Sequence, residues 1–137
     1  NLLAGIKDTF IIDATYNASP ASMQAALETL RDLPASRKIA VLGDMLELGK
    51  YSIEAHQAIG KLTAKTADVL ITVGPRGKFI AESAAAEGMP KDHILTFDTA
   101  AEAAKEVQEL IKPGDLVLIK ASRAMGLEKI VEEIKEM

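Results

Sequence analysis

The strongest candidates for ligand binding lie directly after the most hydrophobic strand-like run of the sequence. Lys120, Ser122 and Arg123 place a lysine and an arginine on either side of a hydroxyl group. Such a set is suited to binding a carboxylate or a phosphate, the arginine through two parallel hydrogen bonds. Basic residues that simply lie exposed on a loop are the alternative interpretation. No Gly-x-Ser-x-Gly motif surrounds Ser122, so the sequence predicts no nucleophilic serine and no catalytic residue.

A second set of polar residues begins at Asp13, where a short hydrophobic run ends. Asp13, Tyr16 and Asn17 combine a carboxylate, an aromatic ring and an amide. These groups can hydrogen-bond ribose hydroxyls and orient a ring, which predicts a nucleotide site. Asn17 and Ser19 also fit an ordinary turn followed by a capped helix, and the residues themselves leave both interpretations open.

The segment from Gly43 to Gly49 holds two acids between glycines. Asp44 and Glu47 lie in it, and His56 follows in the next helical stretch. These three side chains could be interpreted as metal ligands. A single histidine inside a helix is more often packed or hydrogen-bonded, so we expect no metal site and favour a polar surface that faces a substrate.

The segment Val73 to Lys78 (VGPRGK) superficially resembles a phosphate-binding loop. Its two glycines are too close together for that motif, and Phe79 stands where the motif requires serine or threonine. The sequence therefore predicts a turn between a strand and a helix, with an auxiliary contact of Arg76 or Lys78 to an anion as the alternative. The chain is not expected to hold nucleotide phosphates by itself.

Hydrophobic patterning predicts the elements that position these segments. Short β-branched runs alternate with helical patterns, which indicates an α/β fold with a mostly parallel sheet of about five to six strands flanked by helices. The predicted strands are 9–13, 38–42, 68–73, 93–97 and 115–120, and the predicted helices are 20–33, 53–66, 75–87, 100–111 and 127–134. The four polar segments (13–19, 43–49, 74–78 and 121–126) follow the carboxyl ends of strands, where ligands bind in such sheets.

The composition is that of one soluble domain that covers residues 1–137. Hydrophobic residues make up 48% of it, aromatic residues 4%, and the formal net charge is −4. A nucleic-acid surface needs concentrated positive charge and stacking rings, and a membrane surface also attracts basic residues, so neither partner is expected. The lack of cysteine excludes a disulfide scaffold and a thiolate zinc site. The chain begins at Asn1 without a signal peptide, and we expect a fragment of a longer protein.

Taken together, these segments resemble the C-terminal domain of the Mur ligases of the MurF type. The stretch from Leu42 to Gly49 (LGDMLELG) is the most specific part of the resemblance. The matching residues are 13–20 with 22–23, 41–49 with His56 and Gly60, 73–75, and 114–123 with Met125 and Glu128. Three positions depart from the usual pattern of the family: Ala14 replaces an acid, Ser19 an asparagine and Ala121 a glycine.

The resemblance implies a Rossmann-like three-layer domain that belongs to a cytoplasmic ligase of three domains. Such an enzyme uses ATP and Mg²⁺ to phosphorylate the carboxylate of UDP-N-acetylmuramoyl-tripeptide. The amine of D-alanyl-D-alanine then attacks the acyl-phosphate, in the synthesis of peptidoglycan precursors. The central domain holds the phosphates and the metal, and the C-terminal domain closes over ATP beside the N-terminal and central domains.

The resemblance also implies roles for named residues. Asp13, Tyr16 and Asn17 are expected on the ribose and adenine side of ATP. The residues expected to bind or shape the peptide substrates are Asp44, Glu47, Lys120, Ser122 and Arg123. Two other functions remain open at this point: another amide ligase of the superfamily, such as a folylpolyglutamate synthase, and a stand-alone α/β binding module.

Overall fold

A six-stranded sheet with helices on both faces forms the protein, as a computed structural model of residues 1–137 describes it. The strands are β1 (Leu2–Gly5), β2 (Thr9–Ala14), β3 (Arg37–Gly43), β4 (Val69–Val73), β5 (Ile94–Phe97) and β6 (Asp115–Lys120). The helices are α1 (Pro20–Asp32), α2 (Ser52–Thr66), α3 (Gly77–Ala86), α4 (Ala100–Leu110) and α5 (Glu128–Ile134). The predicted α/β class and the five predicted strands are therefore confirmed.

The strand order in the sheet is β1-β2-β6-β3-β4-β5. All neighbours pair in parallel except β1, which pairs antiparallel with β2. The sequence analysis did not predict β1, because its four residues at the edge of the sheet carry no alternating pattern. Its conformation depends on pairing with β2, in which Leu2 lies opposite Ile12.

Two hydrophobic clusters fill the spaces on the two faces of the sheet. Helices α1, α2 and α3 cover one face and contribute, among others, Met23, Ile59 and Ile80. Helices α4 and α5 cover the other face and contribute, among others, Val107 and Ile130. The central strands are buried on both faces, which explains why their sequences are continuous hydrophobic runs rather than alternating ones.

The position of β6 creates a change of direction in the sheet. Strand β6 lies between β2 and β3. The helices that follow β2 and β3 cover one face of the sheet, whereas the helix that follows β6 covers the other face. Crevices form at such points outside the carboxyl ends of the strands, and open α/β sheets bind their ligands there. The segments after β2, β3 and β6 meet at this place.

Side chains cap the two helices whose start sites the sequence indicates most clearly. The Ser19 hydroxyl accepts a hydrogen bond from the Ser22 amide, and the Ser22 hydroxyl accepts one from the Ser19 amide. At α4, the Thr99 hydroxyl accepts a hydrogen bond from the Glu102 amide and donates one to the Glu102 carboxylate. Both helices thus begin at a side-chain cap, and Glu102 contacts the hydroxyl of Thr99 rather than its backbone.

An ion pair lies at the opposite end of the sheet, where strands β3 and β6 begin. Arg37 donates two hydrogen bonds to the carboxylate of Asp115, at 3.0 and 2.7 Å, and Asp115 is almost fully buried. This hydrogen bonding raises the pKa of Arg37. No helix of the protein is both long enough and apolar enough to cross a membrane.

Candidate functional site

Lys120 is a buried cation at the carboxyl end of β6. Only 3% of its surface is exposed, and burial lowers the pKa of its ammonium group. The ammonium donates a hydrogen bond of 3.2 Å to the backbone carbonyl oxygen of Asn17 and lies 5.7 Å from the centre of the Tyr16 ring. No carboxylate pairs with it, so its charge is balanced only by a carbonyl dipole and an aromatic face.

Asp13 lies near the carboxyl end of β2, beside the loop that Lys120 contacts. Its Oδ1 atom accepts hydrogen bonds from the amide and the hydroxyl of Thr15, at 3.1 and 2.8 Å. These bonds orient the carboxylate and leave Oδ2 without a protein partner. The Tyr16 ring is 64% exposed, and the side chain of Asn17 is exposed and makes no hydrogen bond. The loop therefore presents an acceptor, a ring and an amide to the outside.

Asp44 follows β3 and is 1% exposed. Its carboxylate accepts a hydrogen bond from the Arg76 amide at 3.1 Å and one from the Arg76 guanidinium at 3.2 Å. Gly74 allows this approach, because a Cβ atom there would lie 2.8 Å from Oδ1 of Asp44. The turn between β4 and α3 thus donates hydrogen bonds to a carboxylate of the protein itself. Helix α3 begins at Gly77 rather than at the predicted Pro75.

Ser122 connects the loop after β6 to the loop after β3. Its hydroxyl accepts a hydrogen bond of 3.0 Å from the Leu46 amide. Its own amide donates one of 3.2 Å to the carbonyl oxygen of Asp44. The hydroxyl proton of Ser122 remains available for a further acceptor, such as the carboxylate of a ligand.

His56 is fully buried in α2 and uses both ring nitrogens within the protein. Nε2 accepts a hydrogen bond of 3.0 Å from the Met45 amide, and Nδ1 lies 2.7 Å from the carbonyl oxygen of Ser52. With Asp44 also bound to Arg76, the structure gives no support to the interpretation of Asp44, Glu47 and His56 as metal ligands. No group of three or more histidine, aspartate or glutamate side chains is placed to hold a metal ion.

The side chains of Glu47 and Arg123 are exposed and make no hydrogen bond or ion pair, and the same is true of Lys50 and Lys78 at this edge. Glu47 has a φ angle of 64°, in the left-handed region that residues with a side chain rarely adopt. Such strain occurs most often at binding and catalytic sites. Glu47 and Arg123 can therefore contact a ligand without first breaking a bond within the protein.

The structure divides the predicted site residues into two groups on either side of β6. Lys120 joins Tyr16 and Asn17, rather than extending towards Ser122 and Arg123. Asp44 and Ser122 form the second group, at the boundary with β3. The sequence analysis missed the contact of Arg76 with Asp44, for which the only signal was an arginine in a glycine-bounded turn.

The comparison with protein families matches residues 1–123 to the family described as "Mur ligase, glutamate ligase domain". The chain belongs to the Mur ligase family. The predicted resemblance to the C-terminal domains of MurF-type ligases is confirmed, and so is the Rossmann-like fold.

Several relatives of this Mur ligase domain share one name. It is 40% identical over 128 residues to the UDP-N-acetylmuramoyl-tripeptide–D-alanyl-D-alanine ligase of Bacillus subtilis, which covers 92% of the chain and 28% of the relative. The MurF ligase of Thermotoga maritima in complex with ADP is 32% identical, with a TM-score of 0.75 over 93% of the chain and 28% of that protein. A MurF structure from Acinetobacter baumannii is 30% identical, with a TM-score of 0.84 over 97% and 29%. The chain therefore spans little more than a quarter of the length of these relatives.

Proposed function

We propose that this chain is the C-terminal lid and acceptor-binding domain of an ATP-dependent amide ligase. The ligase adds D-alanyl-D-alanine to UDP-N-acetylmuramoyl-tripeptide in the cytoplasm, during synthesis of peptidoglycan precursors. The observation that carries the proposal is the 40% identity to the Bacillus subtilis ligase of that name, over nearly the whole chain. Residues 1–137 form one domain of three, and the N-terminal and central domains are its partners in the same polypeptide.

The reaction requires an activated carboxylate and a shielded site. The terminal phosphate of ATP is transferred to the tripeptide carboxylate, which gives ADP and an acyl-phosphate. The free amine of the dipeptide attacks the acyl carbon, an amide bond forms, and phosphate leaves together with a proton from the amine. Water would hydrolyse the acyl-phosphate, so a domain that closes over the reactants increases the yield of amide.

Phosphates and Mg²⁺ are assigned to the central domain, because the donor groups of this chain do not fit them. The chain has no glycine-rich phosphate loop and no cluster of three or more potential metal ligands. Its contribution is therefore to orient the two substrates and to exclude water, and no step of the reaction is assigned to a metal bound by this domain.

The loop after β2 provides the ATP side of the domain. Oδ2 of Asp13 has no protein partner and can accept hydrogen bonds from ribose hydroxyls. The exposed ring of Tyr16 and the amide of Asn17 can contact the adenine base. The ammonium group of Lys120 binds this loop by donating a hydrogen bond to the backbone carbonyl group of Asn17.

The loops after β3 and β6 provide the peptide side. The guanidinium of Arg123 has no protein partner and can bind the carboxylate of the dipeptide through two hydrogen bonds. The Ser122 hydroxyl can donate a further one, and the carboxylate of Glu47 can attract the ammonium group of the incoming dipeptide. Asp44 is occupied by Arg76 and shapes this side without contacting the substrate.

Kinetic constants of the full-length ligase test this assignment. Asp13→Ala is expected to raise the KM for ATP, and Arg123→Ala the KM for D-alanyl-D-alanine, each by about tenfold, because each removes a hydrogen-bonded charge. Arg31→Ala, on the exposed surface of α1, serves as the control and leaves both constants unchanged. Unchanged values in Asp13→Ala and Arg123→Ala would contradict the proposed site.

A further inference from the structure

The backbone of the loop after β3 is held by side chains and backbone groups from other elements. The Met45 amide donates to His56 of α2, and the Leu46 amide donates to the hydroxyl of Ser122. The carbonyl group of Asp44 accepts from the Ser122 amide. Three consecutive residues thus depend on partners outside their own loop, and His56 is the partner that contacts no other part of the candidate site.

The hydrogen bonds of His56 require a single tautomer. A backbone amide can only donate, so Nε2 must be the acceptor for Met45 and carries no proton. The proton of the neutral ring is therefore on Nδ1, which donates it to the carbonyl group of Ser52. Because the ring is fully buried, water cannot replace either partner.

We propose that His56 is a positioning residue of the ligase, which acts through Met45 on the peptide-binding loop. With the Met45 amide held, the side chain of Met45 stays in the core and the Leu46 amide stays against Ser122. These contacts fix the hydroxyl of Ser122 and the start of the strained turn at Glu47. This proposal rests on the proposed function, since it names the residue that orders the peptide side of that site.

Two substitutions of His56 distinguish the hydrogen bond made by Nε2 from the one made by Nδ1. In His56→Gln, the amide oxygen of glutamine can reach the position of Nε2 and accept from Met45. In His56→Asn, the shorter amide can replace only Nδ1 and donate to Ser52, so the Met45 amide loses its acceptor. Both variants replace the ring by a smaller amide, so they share the loss of packing and differ in the bond to Met45.

Hydrogen exchange of the 137-residue chain measures this bond without reference to catalysis. We expect the Met45 and Leu46 amides of His56→Asn to exchange about 10- to 100-fold faster than those of His56→Gln, because a buried amide without an acceptor favours local opening. Amides in the middle of β4 serve as the control and should exchange equally in both variants. Equal exchange of Met45 in the two variants would overturn the proposal.

Nitrogen-15 NMR of the unmodified chain provides a measurement that does not depend on variants that fold. At mildly alkaline pH, where imidazole is neutral, His56 is expected to carry its proton on Nδ1. The exposed His93 provides the reference signal in the same spectrum. A predominant proton on Nε2 of His56 would overturn the proposal.

Kinetics of the full-length ligase then test the role in substrate binding. His56→Asn is expected to raise the KM for D-alanyl-D-alanine by about tenfold while the KM for ATP changes by less than about twofold, and His56→Gln is expected to stay close to the unmodified enzyme. Equal rises of both constants in His56→Asn would indicate a merely structural role and overturn the proposal. If the unmodified ligase makes no amide, the proposed function fails, whereas the exchange result still decides whether His56 holds the loop.

Discussion

The ammonium group of Lys120 lies 3.2 Å from the carbonyl oxygen of Asn17, although 103 residues separate them in the sequence. This bond ties the loop after β2 to the end of the neighbouring strand β6. It places a buried positive charge beneath the segment to which we assign ATP. We therefore propose that Lys120 acts on the nucleotide side of the site, and we expect the cost of burying its charge to lower the free energy of unfolding.

Replacing Lys120 by methionine tests that cost. Lys120→Met keeps most of the volume and removes the buried charge, so we expect the free energy of unfolding at neutral pH to rise by about 1 kcal/mol. The KM of the full-length ligase for ATP should rise, because the loop of Asn17 loses its anchor. Urea unfolding and steady-state kinetics measure the two effects. A loss of stability without a change in KM would contradict this role.

The stability difference between Lys120→Met and the unmodified chain should depend on pH. Burial lowers the pKa of Lys120 in the folded state, so the unfolded state binds more protons between the folded and the unfolded pKa. The destabilisation is complete below the folded pKa and is relieved as the pH rises towards the ordinary lysine value. The free energies of unfolding of the two proteins should therefore converge at alkaline pH. A difference that stays constant with pH would contradict burial of the charge as its cause.

The ion pair between Arg37 and Asp115 is expected to contribute more to the free energy of unfolding than the ion pairs on the surface. Arg37→Met leaves the buried carboxylate of Asp115 with the amide of Lys112 as its remaining partner, and we expect a loss of about 3 kcal/mol in the free energy of unfolding. Arg31→Met breaks the exposed pair with Asp32 and serves as the control, with no measurable loss expected. Similar losses in both variants, measured by urea unfolding, would refute the prediction.

Two buried threonines differ in their hydrogen bonding. The hydroxyl of Thr72 in β4 has no partner, whereas that of Thr63 in α2 donates to the carbonyl group of Ile59 at 2.7 Å. Thr72→Val should therefore stabilise the protein by about 1 kcal/mol, since it removes an unsatisfied polar group from the core. Thr63→Val is the matched control and should not stabilise it. The thermal midpoints of the two variants decide between these outcomes.

The absence of a side chain at Gly43 leaves room for Ala121, the residue that follows β6. A Cβ atom at this position would lie 2.6 Å from the Cβ atom of Ala121. Gly43→Ala is therefore expected to lower the free energy of unfolding by about 1–3 kcal/mol, as overpacking of a core does. The double variant Gly43→Ala with Ala121→Gly should recover most of this loss. Additive effects of the two substitutions would show that they do not share this contact.

Much of the fold could be predicted from the sequence, because its signals are local. Continuous hydrophobic runs indicate the buried strands, and Ser19 indicates where α1 begins. The insertion of β6 between β2 and β3 has no such signal, since it results from long-range pairing. That insertion brings Lys120 beside Asn17 and Ser122 beside Leu46, so the partners within the site could not be predicted even though most of its residues could.

The hydrogen-bond partners of His56 and Asp44 could likewise not be predicted from the sequence. Both were recognised as candidate polar residues, and metal binding was one interpretation of their types and spacing. Their function within the fold depends on Met45 and Arg76, which supply backbone amides that no side-chain motif encodes. A buried carboxylate or imidazole can be found in a sequence, but its partner becomes known only when the loops are placed.

Formation of the amide product tests the central claim most directly. The full-length polypeptide that contains this chain is incubated with ATP, UDP-N-acetylmuramoyl-tripeptide and D-alanyl-D-alanine, and the product is measured by mass spectrometry beside the release of ADP. We expect one ADP for each amide formed, and no product when residues 1–137 are deleted. The absence of amide with the intact polypeptide, or equal amounts without these residues, would contradict the proposed function.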